Sequence, residues 1–468
     1  MKLLTTILPF AVILLFFSAA EGQAEIAKGV INDRVVAAAD PSQTYALYLP
    51  SSYTSTRRFP VLYCFDPGAR GPFAVARFKE AAEKYNYIVV GSNNSRNGPN
   101  QPLNDIIRVI WEDTHARFSI DEKQVYVAGF SGGARVAISM AYSFRSLVAG
   151  VIACSGGYPS RTKPNIARTF VLFGTAGRDD FNNPEMQSLS KGLEDSPAHR
   201  LVIFPGGHEW LPVALAGDAI EWFELEAIRA GRKEKDDTFI DTIFNKTLAR
   251  ARAAEAANER YQAYLVYAWI SEDFEGLRPV SEFHRKAVEL EATQEVREEF
   301  REEKQLGEEQ SRRLEKIHSL IQTLGQPELD PSPRSELKDL IAGLRKTANA
   351  PQSSFDRIVA KRVIDSLLIE SFEAGNYAIA QRKYAEAIMR FSLGADIQPD
   401  NPRVLYHLAR AYALAGEKKQ ALGALQKAAD GGFADSSALA TDEFAGLQKE
   451  RKFHEIFELV KKNEAGHQ

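Results

Sequence analysis

Between residues 30 and 225 the chain alternates short apolar runs with amphipathic stretches and Gly/Asn/Asp-rich loops. That is the rhythm of strands and helices in a mostly parallel sheet. The runs Tyr45–Leu49, Pro60–Phe65, Tyr87–Val90, Val125–Ala128, Gly150–Cys154, Phe170–Phe173 and Leu201–Phe204 predict strands. After Tyr45–Leu49, every run leads into a polar or glycine-rich loop, which is where open α/β sheets keep their functional groups. Beyond Trp222 the pattern turns to helical periodicity with no strand signal, and the Pro/Ser-rich segment Leu329–Arg334 divides that half. The expected layout is a leader over 1–24, a sheet domain over 30–225, a helical region over 226–330 and a helical repeat domain over 336–468.

The last block repeats at a spacing of 34. Ala374 matches Leu408, Ala378 matches Tyr412, Ala387 matches Ala421, Phe391 matches Leu425 and Gly394 matches Ala428. Small residues where paired helices touch, at that period, resemble tetratricopeptide repeats over roughly residues 370 to 432. Arg382 stands where those repeats usually carry Gly. Two repeats bury too little surface alone, so helices between 235 and 365 are expected to join the stack, with residues 433 to 463 capping it. The charge run Glu298–Lys304 is expected to be a solvated helix face.

Composition narrows the picture. With 44% hydrophobic and 26% charged residues the chain is ordinary globular protein, and 58 Lys+Arg against 62 Asp+Glu leave a net charge of -4. Nothing there favours a nucleic-acid partner. Met1-Lys2, the apolar run Leu3–Phe17 and then Ser18-Ala-Ala20 read as a cleavable export leader, with Ala24 a second cleavage point, so a periplasmic or secreted chain with no stable membrane span is expected. No Cys follows the run to carry a lipid anchor. Cys64 and Cys154 lie in predicted strands and are expected to be buried thiols, separated by the strand that leads to Ser131. No phosphate-binding loop, His-Glu-x-x-His, Cys-x-x-Cys or calcium-loop motif occurs, so no nucleotide or metal cofactor is implied.

The chemistry is concentrated at Gly129-Phe-Ser131-Gly-Gly133, which follows a β-branched strand and opens a helical segment. In a nucleophile elbow the Ser sits at strained backbone angles, and side chains at the flanking glycines would strike adjacent backbone. A serine needs a base, the base an orienting carboxylate, and the oxyanion N–H donors. The loop after Phe173 holds Asp179 and Asp180, of which Asp180 is favoured by its distance to Pro184; the loop after Phe204 holds His208. His199 precedes its strand, at the wrong end of the sheet. The expected oxyanion donors are Gly132 and Gly68, since Pro67 has no N–H. Phe130, Trp210 and Asn93, the last in the polar loop Gly91–Asn97, are expected to touch substrate.

Those loops carry a resemblance. Residues 40 to 225 look like the α/β-hydrolase superfamily, close to exported esterases of the polyhydroxybutyrate-depolymerase, feruloyl-esterase and dienelactone-hydrolase-like group. The order Ser131, Asp180, His208 is that superfamily's order, while the loop after Phe65 lacks the His-Gly-Gly form common in lipases. The resemblance implies a doubly wound α/β-hydrolase sheet followed by an all-α tetratricopeptide-like domain. It also implies an ester substrate, small or polymer-derived, and a helical half that binds substrate or a protein partner. A serine peptidase, or a non-catalytic interaction protein on a hydrolase scaffold, is the alternative. Because the triad and oxyanion candidates all fall between 66 and 208, the chemistry is expected to be separable from the helical half.

Overall fold

The computed structural model describes residues 26–99, 101–160, 164–193, 198–324 and 332–466, so the expected leader and the first half of the Pro/Ser break lie outside the described residues. Strands β1 (Ile31–Val36), β2 (Thr44–Tyr48), β3 (Phe59–Phe65), β4 (Ile88–Ser92), β5 (Ile120–Phe130), β6 (Val148–Cys154), β7 (Val171–Gly177) and β8 (His199–Phe204) form one sheet in the order β1-β2-β4-β3-β5-β6-β7-β8. From β4 to β8 every pairing is parallel; β1 and β2 add an antiparallel edge. The sequence reading missed β1, whose Asn32-Asp33-Arg34 centre breaks any apolar alternation.

Burial on both faces explains the near-continuous apolar runs. On β5, Val125 and Val127 enter one core layer, and Tyr126, Ala128 and Phe130 the other. The first layer is covered by α2 (Leu103–Arg117), α3 (Gly132–Ser143) and α4 (Asn183–Lys191), and the second by α1 (Gly71–Tyr85) and α5 (Val213–Arg229). Cys64 on β3 and Cys154 on β6 are buried and free, with β5 between them. Two strand spacings hold their Cα atoms about 10 Å apart, beyond disulfide reach.

The helical half runs α6 (Asp237–Ala256), α7 (Arg260–Asp273), α8 (Ser281–Glu291), α9 (Gln294–Leu324), α10 (Ser332–Ala348), α11 (Phe355–Ala380), α12 (Tyr384–Ile397), α13 (Pro402–Leu414), α14 (Lys418–Asp430) and α15 (Arg451–Gly466). Its apolar residues gather in three clusters. The apolar residues of α6 to α8 close on Leu225 and Ile228 of α5, a second cluster joins α9 to α12, and a third joins the end of α11 to α15. The reason lies in α5, which continues past Trp222 as an apolar helix and leaves its last turns for α6 and α7 to cover. Asp273 of α7 accepts from Trp222 Nε1 at 2.9 Å and pairs with Arg200 of β8. Among the described residues no helix is long and apolar enough to cross a membrane.

The 34-residue period is visible in the backbone. Gly416 closes α13 at φ +80°, and Arg382, its counterpart after α11, takes φ +58° with a side chain in the way. A left-handed residue other than Gly costs roughly 1–2 kcal/mol, and Gly returns part of that as chain entropy. Exposed Arg382→Gly should therefore raise the unfolding free energy by about 0.5–1 kcal/mol, read as a higher Tm; a lower Tm counts against this account of the turn.

Candidate active site

β5 ends at Phe130 and α3 begins at Gly132, so Ser131 alone makes the turn, at φ 52° and ψ -118°. Such angles are strained for a residue with a Cβ and persist only where the surroundings enforce them. The two flanking glycines do so. A Cβ on Gly129 would lie 2.0 Å from the Gly133 carbonyl oxygen, and one on Gly133 would lie 2.0 Å from that of Phe65. Ser131 N–H donates to the Cys154 carbonyl at 2.8 Å, tying the turn to β6.

His208 and Asp180, from the loops after β8 and β7, meet beside this turn. His208 Nδ1 lies 2.9 Å from Asp180 Oδ1, with the Asp side chain wholly buried and the imidazole 11% exposed. The ring is held between Phe130, at 4.7 Å between centroids, and Phe181, at 4.2 Å. Asp180 Oδ1 also accepts from Asn182 N–H at 2.8 Å. Asp179 turns the other way, onto Arg357 Nη1 at 2.9 Å. In this state no hydrogen bond joins Ser131 Oγ to His208; such bonds are often long before substrate arrives.

Three of the expected site residues have other partners in the structure. Gly68 N–H is committed to Asp66 Oδ1 at 2.8 Å, and Ala69 N–H to the Asp66 carbonyl at 3.1 Å, so neither is left for an oxyanion. Trp210 is 3% exposed, packs on Phe78 and Phe130, and donates Nε1 to Asp66 Oδ2 at 2.8 Å, which makes it part of the core. Asn93 spends its amide on the Asp33 carbonyl and Thr44 Oγ1, fastening the antiparallel edge. Phe130 is 7% exposed and supports the imidazole.

Asp66 is the residue the sequence reading missed. Burial favours its neutral form, but Arg70, Trp210 and Gly68 hydrogen bonds outweigh that and hold its carboxyl below the usual range. By fixing the loop after β3 it also fixes the Phe65 carbonyl against which Gly133 packs.

The helical half reaches the same ground. The charge run expected to be solvated lies on α9, where Glu299, Glu302 and Glu303 surround Arg178 at 4.0, 3.1 and 3.9 Å. Gln310 Nε2 donates to the Phe181 carbonyl at 2.8 Å. From α11, Arg357 takes Asp179, fully buried Arg362 donates Nε to the Arg178 carbonyl at 2.8 Å, and Glu373 accepts from Asn97 Nδ2 at 3.0 Å. Between them Asp365, paired with Lys361 at 2.7 Å, feels the charges of His208 and Asp180; burial raises its carboxyl. Side chains of α9 and α11 thus touch the loops that carry Asn97, Asp179 and Asp180.

Residues 90–181 match the Phospholipase/Carboxylesterase family and residues 378–440 the Tetratricopeptide repeat family. The first match includes Ser131 and Asp180 but stops before His208. No curated protein matches the chain. Among solved structures it is similar to a ferulic acid esterase, at 15% identity and TM-score 0.35 over 42% of this chain and 96% of that one. It is also similar to a hyperthermophilic esterase from Pyrobaculum calidifontis, at 12% and 0.35 over 43% and 87%. A third is Est1E from Butyrivibrio proteoclasticus, at 14% and 0.32 over 40% and 95%. The sheet domain has the α/β-hydrolase layout with a carboxylesterase-family match inside it, and the helical half carries a tetratricopeptide-repeat match.

If the elbow depends on backbone contact, Gly133→Ala should lower the unfolding free energy by about 3 kcal/mol, the upper range of overpacking, in a denaturant titration. Gly217→Ala in α5, whose Cβ would meet nothing, should instead be neutral or stabilise by about 0.5–1 kcal/mol. Equal effects at the two positions would refute the elbow argument.

Proposed function

We propose that the chain is an exported carboxylesterase working through Ser131, His208 and Asp180. The carrying observation is the 2.9 Å Asp180–His208 contact beside a serine held at φ 52°. In this reading Asp180 accepts from the Nδ1–H of His208, which leaves Nε2 with its lone pair toward the serine. Ser131 Oγ attacks the ester carbonyl carbon while Nε2 takes the hydroxyl proton. The tetrahedral intermediate collapses, the C–O bond to the alcohol breaks, and His208 returns its proton to the leaving oxygen. Water, deprotonated by His208, then cleaves the acyl-enzyme to the free acid and restores Ser131. The Gly132 N–H, at the first turn of α3 with no partner within its helix, supports the developing negative charge.

The leader-like residues 1–24 support export to the periplasm or beyond, and the repeats support a protein partner in addition to the ester substrate. Sequencing the N-terminus of the exported chain tests the first point: a mature protein starting at Met1 would refute cleavage.

Purified protein should hydrolyse short aryl esters, and Ser131→Ala should lower kcat by about three or more powers of ten with the Tm unchanged. Asp180→Asn should cost nearly as much, and Asp179→Asn far less, because Asp179 faces Arg357 and not the imidazole. Full turnover in Ser131→Ala would overturn the assignment, and a larger loss in Asp179→Asn than in Asp180→Asn would overturn the choice of acid.

A further inference from the structure

With Gly68 and Ala69 committed to Asp66 and Pro67 lacking an N–H, the loop after β3 gives the oxyanion no backbone donor at those positions. What stands beside Gly132 is the side chain of Asn97. A Cβ on Gly132 would fall 1.8 Å from Asn97 Oδ1, 2.6 Å from Cγ and 2.8 Å from Nδ2. The carboxamide therefore meets Gly132 edge-on, oxygen nearest and nitrogen beside it, in the space a side chain there would fill. Only glycine at 132 admits it.

Two further contacts hold Asn97. Its own N–H donates to the Pro67 carbonyl at 2.8 Å, and its neighbour Arg96 bridges to Gly68, so its loop is tied to the loop after β3. Across the domain boundary, Nδ2 donates to Glu373 Oε1 at 3.0 Å. A carboxylate only accepts, so Glu373 fixes which end of the amide is nitrogen. Nδ2 carries two hydrogens, and this contact uses one.

We propose that Asn97 is a further catalytic residue. Its second Nδ2–H joins the Gly132 N–H in holding the ester carbonyl oxygen as negative charge develops, and Glu373 on α11 is the positioning residue that sets the carboxamide. The proposal rests on the Ser131 esterase reading and adds a side-chain donor to it, contributed through the helical half. α11 is rigid over the distance that matters: Arg357 and Glu373 are separated by roughly 24 Å of helix, with Arg357 on Asp179 and Arg362 on Arg178 securing the other end. An exposed loop asparagine thus gains the support a donor in an oxyanion site requires.

The test uses the full-length chain and a short aryl ester. Asn97→Ala should lower kcat by about 10²–10³-fold, the size of one lost oxyanion donor, with KM little changed. The isosteric Asn97→Asp should be as slow, because it brings no N–H and a negative charge. Glu373→Ala should lose part of the rate, and Glu373→Gln, whose side-chain oxygen still accepts, should restore most of that loss. Affinity for a boronic-acid transition-state analogue should fall in parallel with kcat. An unchanged or raised kcat in Asn97→Ala, or a loss confined to KM, would overturn the proposal. Should wild type be active and Ser131→Ala inactive while Asn97→Ala keeps its rate, the Asn97 role alone fails. Failure of wild type to turn over any ester takes the Ser131 reading down with it.

Discussion

Arg362 is the pin between the two halves of the chain. Its side chain is wholly buried, its Nε donates to the Arg178 carbonyl, and Glu303 of α9 lies 3.5 Å from Nη2. Burial lowers the guanidinium's affinity for its proton, and Glu303 opposes that. A buried cation is tolerated only while its partners stay in place, and losing one costs about 3–5 kcal/mol. The partners here come from β7's loop and from α9, so three segments distant in sequence are fixed at one point. Asp180 is two residues from that point. The geometry at His208 therefore depends on α9 and α11 as well as on the strands that carry the two residues.

Asp66 does for the loop after β3 what Arg362 does for the loop after β7. It is fully buried and collects hydrogen bonds from Gly68 N–H, both ends of the Arg70 guanidinium and the Trp210 indole. Every donor it takes is withdrawn from other use. The loop is consequently stiff, and stiffness at Phe65 is what Gly133 leans on. The same residue takes up the N–H groups of Gly68 and Ala69, which makes the neighbouring Asn97 amide chemically significant.

Much of this was legible in the sequence, and the boundary of legibility has physical causes. Strands buried on both faces announce themselves as apolar runs, and the glycines at 129 and 133 mark a turn whatever surrounds it. The Ser, Asp and His candidates could be placed because each directly follows a strand end. Trp210 could not: its proximity to His208 along the chain suggested substrate, while the partner that decides its role, Asp66, is 144 residues away. Asn93 and Asn97 share one loop and look alike in sequence, yet one fastens a strand edge and the other lies on Gly132. Glu299 and Glu302 keep 37% and 44% of their side chains exposed, as a solvated face does, but nothing local reveals that Arg178 will sit among them and Glu303.

The division into a sheet half and a helical half follows composition, but α11 does not respect it. Its last turns carry Ala374 and Ala378, which open the first 34-residue unit, and Gly375 packs so closely on Phe391 of α12 that a Cβ there would lie 2.6 Å from the ring. Two to five turns earlier the same helix presents Arg357, Lys361, Arg362 and Asp365 to the loops around His208. A helix transmits position along its length because each residue is bonded to the turn before it. The packing that fixes the repeats against α11 and the contacts that fix α11 against the Asp180 loop are therefore one mechanical system. A change in either moves the other, which is a reason for the two to share a chain.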